Sequence, residues 1–265
     1  MSFFPSRTVA LEVLGFAIHW YGVMYLLAFV VALIMLPRIQ RERGLLLLRE
    51  QWASLVSYAV IGVIVGGRLG YVFFYEPGYF SIRPREIFMV WHGGMSSHGG
   101  FIGVATALFL YCYRHKLDVR KVADVIAVPV AIGLAFGRFG NFINQELYGI
   151  ATDLPWGISI PGVEGLRHPT QIYAIAKDLF IAGICFWHLK YVRSVRPGRT
   201  FALFLILYGI LRFLVEFLRA QDQSLVNLGI LHLSYGQLLT LPILFIGALL
   251  WIWLGRDLDS TEERG

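Results

Sequence analysis

The sequence predicts an all-α membrane protein, a polytopic bundle of seven transmembrane helices with a small cap on its outer side. Of its 265 residues, 57% are hydrophobic and only 15% are charged, whereas about 25% are charged in an ordinary soluble domain. Long apolar runs recur along the whole chain, and basic residues cluster in every second connection. This composition excludes a disordered chain and a conventional soluble enzyme.

Seven stretches are long and apolar enough to be spanning helices, at 17–36, 52–75, 96–113, 122–143, 171–189, 201–218 and 235–254. A helix needs about 20 residues to cross the hydrocarbon layer, so the stretch at 96–113 is marginal. The runs are continuous, as in FLILYGILRFLVEFL. An outer-membrane barrel would instead alternate polar and apolar residues over segments of about 10 residues.

The orientation of the spans follows from the basic residues. Loops 37–51, 114–121 and 190–200 hold four each, twelve in all, and the opposite side holds five, Arg7, Arg83, Arg85, Arg167 and Arg219. By the positive-inside rule the three loops are cytoplasmic, so the N-terminus lies outside and the C-terminal tail inside. The net charge of +6 therefore indicates membrane orientation, and we expect no nucleic-acid binding. We also expect no removable signal peptide.

We predict one integral-membrane domain over residues 1–265. Two outer segments, 76–95 and 144–170, are too long for tight turns. The second lies between the fourth and fifth predicted spans and contains several glycines and prolines, and we expect it to form the cap. Cys112 and Cys185 lie in apolar runs, without the spacing of a metal site or a disulfide framework.

Several charged residues fall inside the predicted spans, where a charge costs about 2.5–3.5 kcal/mol at the bilayer centre. Arg212 and Glu216 are four residues apart, so a simple ion pair on one helix face is an alternative to a binding role. For Lys177 and Asp178 we expect snorkelling towards a span end. Arg68, in GGRLGY, and Arg138, in GRFGNFIN, favour an anion site, with helix packing at the glycines as the alternative.

The segment HGGMSSHGG, 92–100, combines two histidines with four glycines at a membrane boundary. We expect an irregular backbone whose amides face a ligand, and the alternative is a solvated glycine-rich loop. A metal site is disfavoured because His92 and His98 are six residues apart, without a metal-binding motif nearby. Polar groups accumulate towards the outer half of the predicted bundle, at His19, Tyr21, His98, Arg138, Asn141, His168 and Arg212.

These residues resemble the prolipoprotein diacylglyceryl transferase family. GRFGNFINQELYG (137–149) is similar to the hallmark motif of the family. Supporting blocks follow in the family's order, at HWYGVMY (19–25), GGRLGYVFFY (66–75), GGMSSHGG (93–100), RHPTQIY (167–173), YGILRFLVEFLR (208–219) and GQLLTLP (236–242). Seven blocks in order make the resemblance specific over nearly the whole chain.

The resemblance implies an enzyme of the bacterial inner membrane whose active site faces the periplasmic side. The family transfers the diacylglyceryl group of phosphatidylglycerol to the thiol of the lipobox cysteine in a prolipoprotein signal peptide. A thioether forms and glycerol 1-phosphate leaves, as the first step of lipoprotein maturation. No cofactor or metal is implied. The expected partners are phosphatidylglycerol, the prolipoprotein and membrane lipid, and a monomer is plausible.

The same resemblance implies the roles of individual residues. Catalytic roles fall to His98, Arg138, Arg212 and Tyr21, with His98 either a general base or a head-group ligand. The lipid head group is expected to be bound by Arg138, Asn141, Asn144, Glu146, Gly149, Tyr208, Arg212 and Glu216. Arginine is suited to this because its planar fork holds a phosphodiester by paired hydrogen bonds.

Two positions depart from the family pattern. His92 stands where the family has an acidic residue before GGMS, and Ala174 stands where a glutamate often follows the HPxQxY tyrosine. A family member that binds anionic lipid without transfer is therefore one alternative. A transporter is another, although the sequence lacks the internally repeated halves that are typical of transporters.

Overall fold

The computed structural model describes residues 8–13, 16–192, 196–220, 226–228 and 231–256, and these are mostly helical. Eight α-helices lie within these ranges: α1 Trp20–Ile39, α2 Arg49–Phe74, α3 Pro77–Ile82, α4 Ser97–Arg114, α5 Val119–Asn144, α6 Thr170–Tyr191, α7 Arg199–Glu216 and α8 Tyr235–Arg256. All but α3 coincide with a predicted span. Arg7, Arg193 and most of the C-terminal tail, which entered the charge count, lie outside the described residues.

The protein is a helical membrane protein. Five helices of the described residues are long and apolar enough to cross a membrane, namely α1, α2, α5, α6 and α8. The other two predicted spans, α4 and α7, form helices of 18 residues each. Helix α7 contains three charged residues, Arg199, Arg212 and Glu216, and α4 begins with the polar Ser97 and His98.

The described ranges also contain three antiparallel two-stranded sheets that were not predicted. They are β1 Val9–Val13 with β2 Phe16–His19, β3 Ile158–Ser159 with β4 Leu166–Arg167, and β5 Val226–Leu228 with β6 Leu231–Leu233. The strands are short and lie in connections or near the N-terminus. A few residues of alternating polarity are too weak a signal to distinguish such hairpins from loops.

The chain divides into two compact units, residues 36–122 and residues 1–35 with 123–265. In the first of these, α2 and α4 pack through glycines. A Cβ added to Gly66 would lie 2.7 Å from Cα of Gly103, and one added to Gly70 would lie 2.8 Å from Cα of Gly99. The two backbones approach this closely because small residues repeat every four positions. The expected irregular backbone is therefore wrong for Gly99 and Gly100, which are helical, and holds for residues 93–96, where Gly93 and Gly94 have φ of 82° and 74°.

Arg68 of the same unit holds the connection between α3 and α4. Its guanidinium donates to backbone carbonyls of Glu86 at 2.5 Å, Ile87 at 3.0 Å, Met89 at 3.2 Å and Gly94 at 3.1 Å, and also to Gly93. The side chain is buried and lies over the Phe80 ring. The predicted anion site at Arg68 is therefore wrong, because carbonyl groups already occupy its donors.

In the other unit, α7 packs against both α6 and α8. Gly209 of α7 fits against Leu244, and Gly247 of α8 fits against Leu205. The start of α7 is capped by a carboxylate from α5, since Asp124 accepts from the backbone N–H groups of Gly198 and Phe201, both at 2.9 Å. An acidic group is favourable there because the free N–H groups make a helix N-terminus partly positive.

Residues 144–170 are tied by backbone hydrogen bonds to the end of α7. Ile150 N donates to Leu218 O at 3.0 Å, and Ala220 N donates to Tyr148 O at 3.1 Å. Further along, Thr152 N donates to Leu166 O at 2.9 Å, which extends the β3–β4 hairpin. The base of this segment is therefore anchored, and within the rest of it Trp156 Nε1 donates to the Tyr173 hydroxyl of α6 at 2.7 Å and Ile160 is buried.

Candidate active site

The hallmark motif closes on itself at the end of α5. Gln145 and Leu147 adopt positive φ values of 55° and 56°. These turns fold the chain back, so that Glu146 N donates to Asn141 O at 3.1 Å. The Glu146 carboxylate thereby lies beside the last turn of α5, where it accepts hydrogen bonds from Asn141 Nδ2 at 3.2 Å and Asn144 Nδ2 at 3.4 Å.

Tyr21 of α1 joins this network. Its hydroxyl donates to Glu146 Oε1 and accepts from Asn141 Nδ2. The ring lies against Gly140, where an added Cβ would be only 3.2 Å from Tyr21 Cδ1. A glycine at this motif position therefore lets an aromatic ring from α1 reach the polar end of α5.

Arg138 lies one turn before Asn141 and donates to its Oδ1 at 3.3 Å. Within the described part of the chain, no carboxylate lies at salt-bridge distance from this guanidinium. Its positive charge is therefore not neutralised by a protein carboxylate in this part of the chain, and an anion site at Arg138 remains a prediction.

A second cluster forms around Glu216 near the end of α7. Glu216 pairs with Arg212 and also accepts from Arg219 Nη1 at 3.2 Å. The Ser234 hydroxyl donates to Glu216 Oε1 at 3.3 Å. Gly236 leaves room for this carboxylate, because a Cβ there would overlap it. The alternative of an Arg212–Glu216 ion pair is therefore realised, and the pair forms part of a larger cluster.

One cavity is lined both by Arg138 and by the arginines of the Glu216 cluster. Arg138, Arg212 and Arg219 all line it. The remaining lining residues are Asn141, Thr170 and Gln171, which are polar, and Leu147, Ala174 and Val215, which are apolar. By formal charge the three lining arginines carry +3, and the neighbouring carboxylates of Glu146, bonded to Asn141, and of Glu216, paired with Arg212 and Arg219, carry −2, which leaves +1. This balance suits a singly charged anion.

Gly149 and Tyr208, two other predicted head-group residues, do not line this cavity. Gly149 packs against the start of α6 and the end of α7, where a Cβ would lie 2.6 Å from Leu218 O. Tyr208 lies on α7, with the Lys177 ammonium 4.5 Å from the centre of its ring.

Lys177 and Asp178 form a buried ion pair, with 6% and 1% of each residue exposed. The expected snorkelling is therefore wrong, because the two opposite charges meet inside the protein and need not reach the membrane surface. As a pair they add no net charge to the region.

His98 belongs to the other unit, in the first turn of α4, and its side chain is exposed. Among the described residues, none forms a hydrogen bond or an ion pair with it. His92 lies in the preceding connection, where Nδ1 is 2.8 Å from Glu86 Oε2. The histidine that replaces a family acid is thus paired with an acid six residues earlier.

Three polar residues that line the cavity were not predicted as site residues from the sequence. Arg219 was counted only as an outer-side charge, although it follows Glu216 by three residues and so shares its helix face. Thr170 and Gln171 lie within the quoted RHPTQIY block, but neither is charged and neither interrupts an apolar run. Their side chains bind the hallmark segment, through Leu147 O and Glu146 O, both at 2.8 Å.

Comparison with known proteins covers nearly the whole chain. A family model described as prolipoprotein diacylglyceryl transferase matches residues 8–253. Proteins named phosphatidylglycerol–prolipoprotein diacylglyceryl transferase are similar to it, among them that of Nitrosospira multiformis, 41% identical over 97% of this chain and 89% of the relative. The protein of that name from Polynucleobacter necessarius is 45% identical over 90% of this chain and 92% of the relative. The chain therefore belongs to the prolipoprotein diacylglyceryl transferase family.

Proposed function

We propose that this protein transfers the diacylglyceryl group of phosphatidylglycerol to the thiol of a lipobox cysteine in prolipoproteins. The observation that carries the proposal is the cavity lined by Arg138, Arg212 and Arg219, whose formal charge is +1 when the neighbouring Glu146 and Glu216 are counted. A phosphatidylglycerol phosphodiester carries one negative charge. Family membership supplies the reaction, and the cavity supplies a site of suitable charge for its lipid substrate.

The proposed reaction requires the enzyme to stabilise a leaving phosphate. The cysteine sulfur attacks the glycerol carbon next to the phosphate, a carbon–sulfur bond forms, and the carbon–oxygen bond breaks. The bonding electron pair stays on the phosphate oxygen of glycerol 1-phosphate, and the thiol proton passes to a base. Guanidinium groups held in place beforehand stabilise charge that develops on the leaving oxygen.

The carboxylates position the groups around the cavity. Glu216 orients Arg212 and Arg219, and Glu146 orients Asn141 and Tyr21. We assign the phosphate to Arg138, Arg212 and Asn141. For His98 the proposal rests on the resemblance of its GGMSSHGG block, and it is either the base or a head-group ligand.

We further propose that all seven long helices span the bacterial inner membrane in a monomer, with the N-terminus in the periplasm. The asymmetry of basic residues supports this orientation. Residues 144–170 then form a periplasmic cap. Because the base of this segment is bound to the end of α7, a gating movement for peptide entry would be confined to residues 153–165.

The direct test is thioether formation by the purified protein on a lipobox peptide, with phosphatidylglycerol as the lipid. We expect product only when the lipid and the cysteine are both present, with release of glycerol 1-phosphate. A peptide in which serine replaces the cysteine is the control. If phosphatidylglycerol binds but no thioether forms, the protein binds lipid without transfer and the proposal is wrong.

A further inference from the structure

A hydrogen bond determines the orientation of the Gln171 side-chain amide in the cavity wall. The residue is 2% exposed and lies in the first turn of α6. Its Nε2 donates to the backbone carbonyl of Glu146 at 2.8 Å. Only the nitrogen of the glutamine amide can donate to this backbone carbonyl, so the hydrogen bond also determines the position of Gln171 Oε1.

The cavity wall contains one acceptor and one donor without partners. Gln171 Oε1 and Arg219 Nε are both buried, and neither forms a hydrogen bond within the described ranges of the chain. Both residues line the cavity. Leaving buried polar atoms unpaired is unfavourable, so a ligand that pairs with both is favoured. Such a ligand has an acceptor for the guanidinium and a donor for the amide oxygen.

We propose that Gln171 is a specificity-determining residue, whose Oε1 accepts a hydrogen bond from a hydroxyl of the lipid's terminal glycerol. This inference rests on the proposed function and adds the part of the substrate that is selected. A phosphoglycerol group offers phosphate oxygens to the arginines and hydroxyl hydrogens to Gln171. A phosphodiester with an alkyl head group would bind the arginines equally well and leave Gln171 Oε1 unpaired.

The test varies both partners of the hydrogen bond. Transfer to a lipobox peptide is measured with phosphatidylglycerol and with phosphatidylpropanol of the same acyl chains, which lacks both head-group hydroxyls and keeps the phosphodiester charge. The wild type should prefer phosphatidylglycerol in kcat/KM by about 3- to 10-fold, the range of one neutral hydrogen bond. Gln171→Met keeps the shape of the side chain and removes the acceptor, so its preference should fall to within about twofold. Both lipids can react more slowly in this variant, because its contact with Glu146 is also lost, and only the ratio tests the proposal.

Gln237 offers a matched control. It is a glutamine of the same unit, 2% exposed, with an unpaired Nε2, and it does not line the cavity. Gln237→Met should retain the wild-type preference. If Gln171→Met does not accumulate in the membrane, Gln171→Asn, which retracts the acceptor by one methylene, takes its place.

Two results would overturn the inference: a wild type that uses both lipids equally, or a Gln171 variant that keeps the full preference. Failure of the proposed function has a different signature, since the wild type would then form no thioether with either lipid. In that event the same two lipids are compared for binding to the purified protein by native mass spectrometry. If wild type and Gln171→Met then showed the same binding preference between the two lipids, the role of Gln171 would be rejected.

Discussion

At the scale of single residues, Glu216 organises much of the candidate site. It is 3% exposed and contacts two arginines and a serine. A buried carboxylate is costly unless it is paired, and two guanidinium groups more than neutralise this one. The ion pair between Arg212 and Glu216 is thus compatible with a binding role, because the arginine cluster retains an excess of positive charge.

Arg138 and Arg212 are expected to be required for transfer. Each Arg→Ala variant should lower kcat by about 10²–10³, the range for losing one donor to a developing oxyanion. Arg212→Lys should also be impaired, because a point charge keeps the pairing with Glu216 but lacks the planar fork. Arg120→Ala, at an exposed arginine paired with Asp118, is the control. Normal transfer by both alanine variants in a purified assay would reject the assignment.

The space beside Glu216 gives a prediction about stability. Gly236→Ala places a methyl group against the Glu216 carboxylate, so we expect destabilisation of about 1–3 kcal/mol, typical of overpacking, and weaker transfer. Gly183→Ala in α6 meets nothing within 4 Å and should be neutral or slightly stabilising. Thermal unfolding in detergent compares the two variants. Equal melting temperatures would show that the carboxylate moves aside freely.

The two histidines of the HGGMSSHGG segment should behave differently. His98→Ala should reduce transfer strongly, whereas His92→Asn should retain most of it. His92→Asp sets a second carboxylate against Glu86, but an exposed pair is worth only about 0–1 kcal/mol, so it should also be tolerated. These rates are measured on the lipobox peptide. The opposite ranking would place the chemistry at His92.

At the scale of elements, the contact between α2 and α4 depends on which face each glycine occupies. Gly99 lies against the backbone of α2, whereas the nearest atom to a Cβ on Gly100 is Val63 O at 3.8 Å. Neighbouring glycines in one motif therefore have different functions. Gly99 allows the helices to approach, and Gly100 has no such constraint.

This difference predicts opposite effects of one substitution. Gly99→Ala should destabilise the protein by about 1–3 kcal/mol, because the methyl group meets backbone that cannot move aside locally. Gly100→Ala should be neutral or stabilising by up to about 1 kcal/mol, since alanine is the better helix former. Thermal unfolding in detergent tests both variants. Comparable destabilisation by the two would contradict the packing described here.

At the scale of the whole molecule, hydropathy and charge predict how the chain crosses the membrane. The polar residues of α4 and α7, which are the two shortest of the seven predicted spans, include several of the candidate site. Inserting a charged group into the membrane costs free energy, so such groups occur mainly where they line a cavity or bind a partner.

The orientation is testable by labelling single cysteines in intact cells. Loops 37–51 and 114–121 should be protected from a membrane-impermeant thiol reagent, and residues 76–95 and 153–165 should be labelled. The physical reason is the twelve-to-five distribution of basic residues. Labelling of either basic loop from outside would require the reverse orientation or a different number of spans.

The sequence by itself determined the helices, because each is an apolar run long enough to be recognised without its neighbours, and it determined the family through seven motifs in order. It also indicated Arg138, Arg212 and Asn141 as polar groups of the outer half of the predicted bundle, and Glu146 through the resemblance of the hallmark motif. Only the tertiary structure decided which polar groups meet. Backbone carbonyls accept the hydrogen bonds of the buried Arg68 guanidinium. Lys177 forms a buried ion pair with Asp178, and Arg219 and Gln171 line the cavity. Which of these groups are buried, and which of them line one cavity, depends on the packing of segments far apart in sequence, which local composition does not encode.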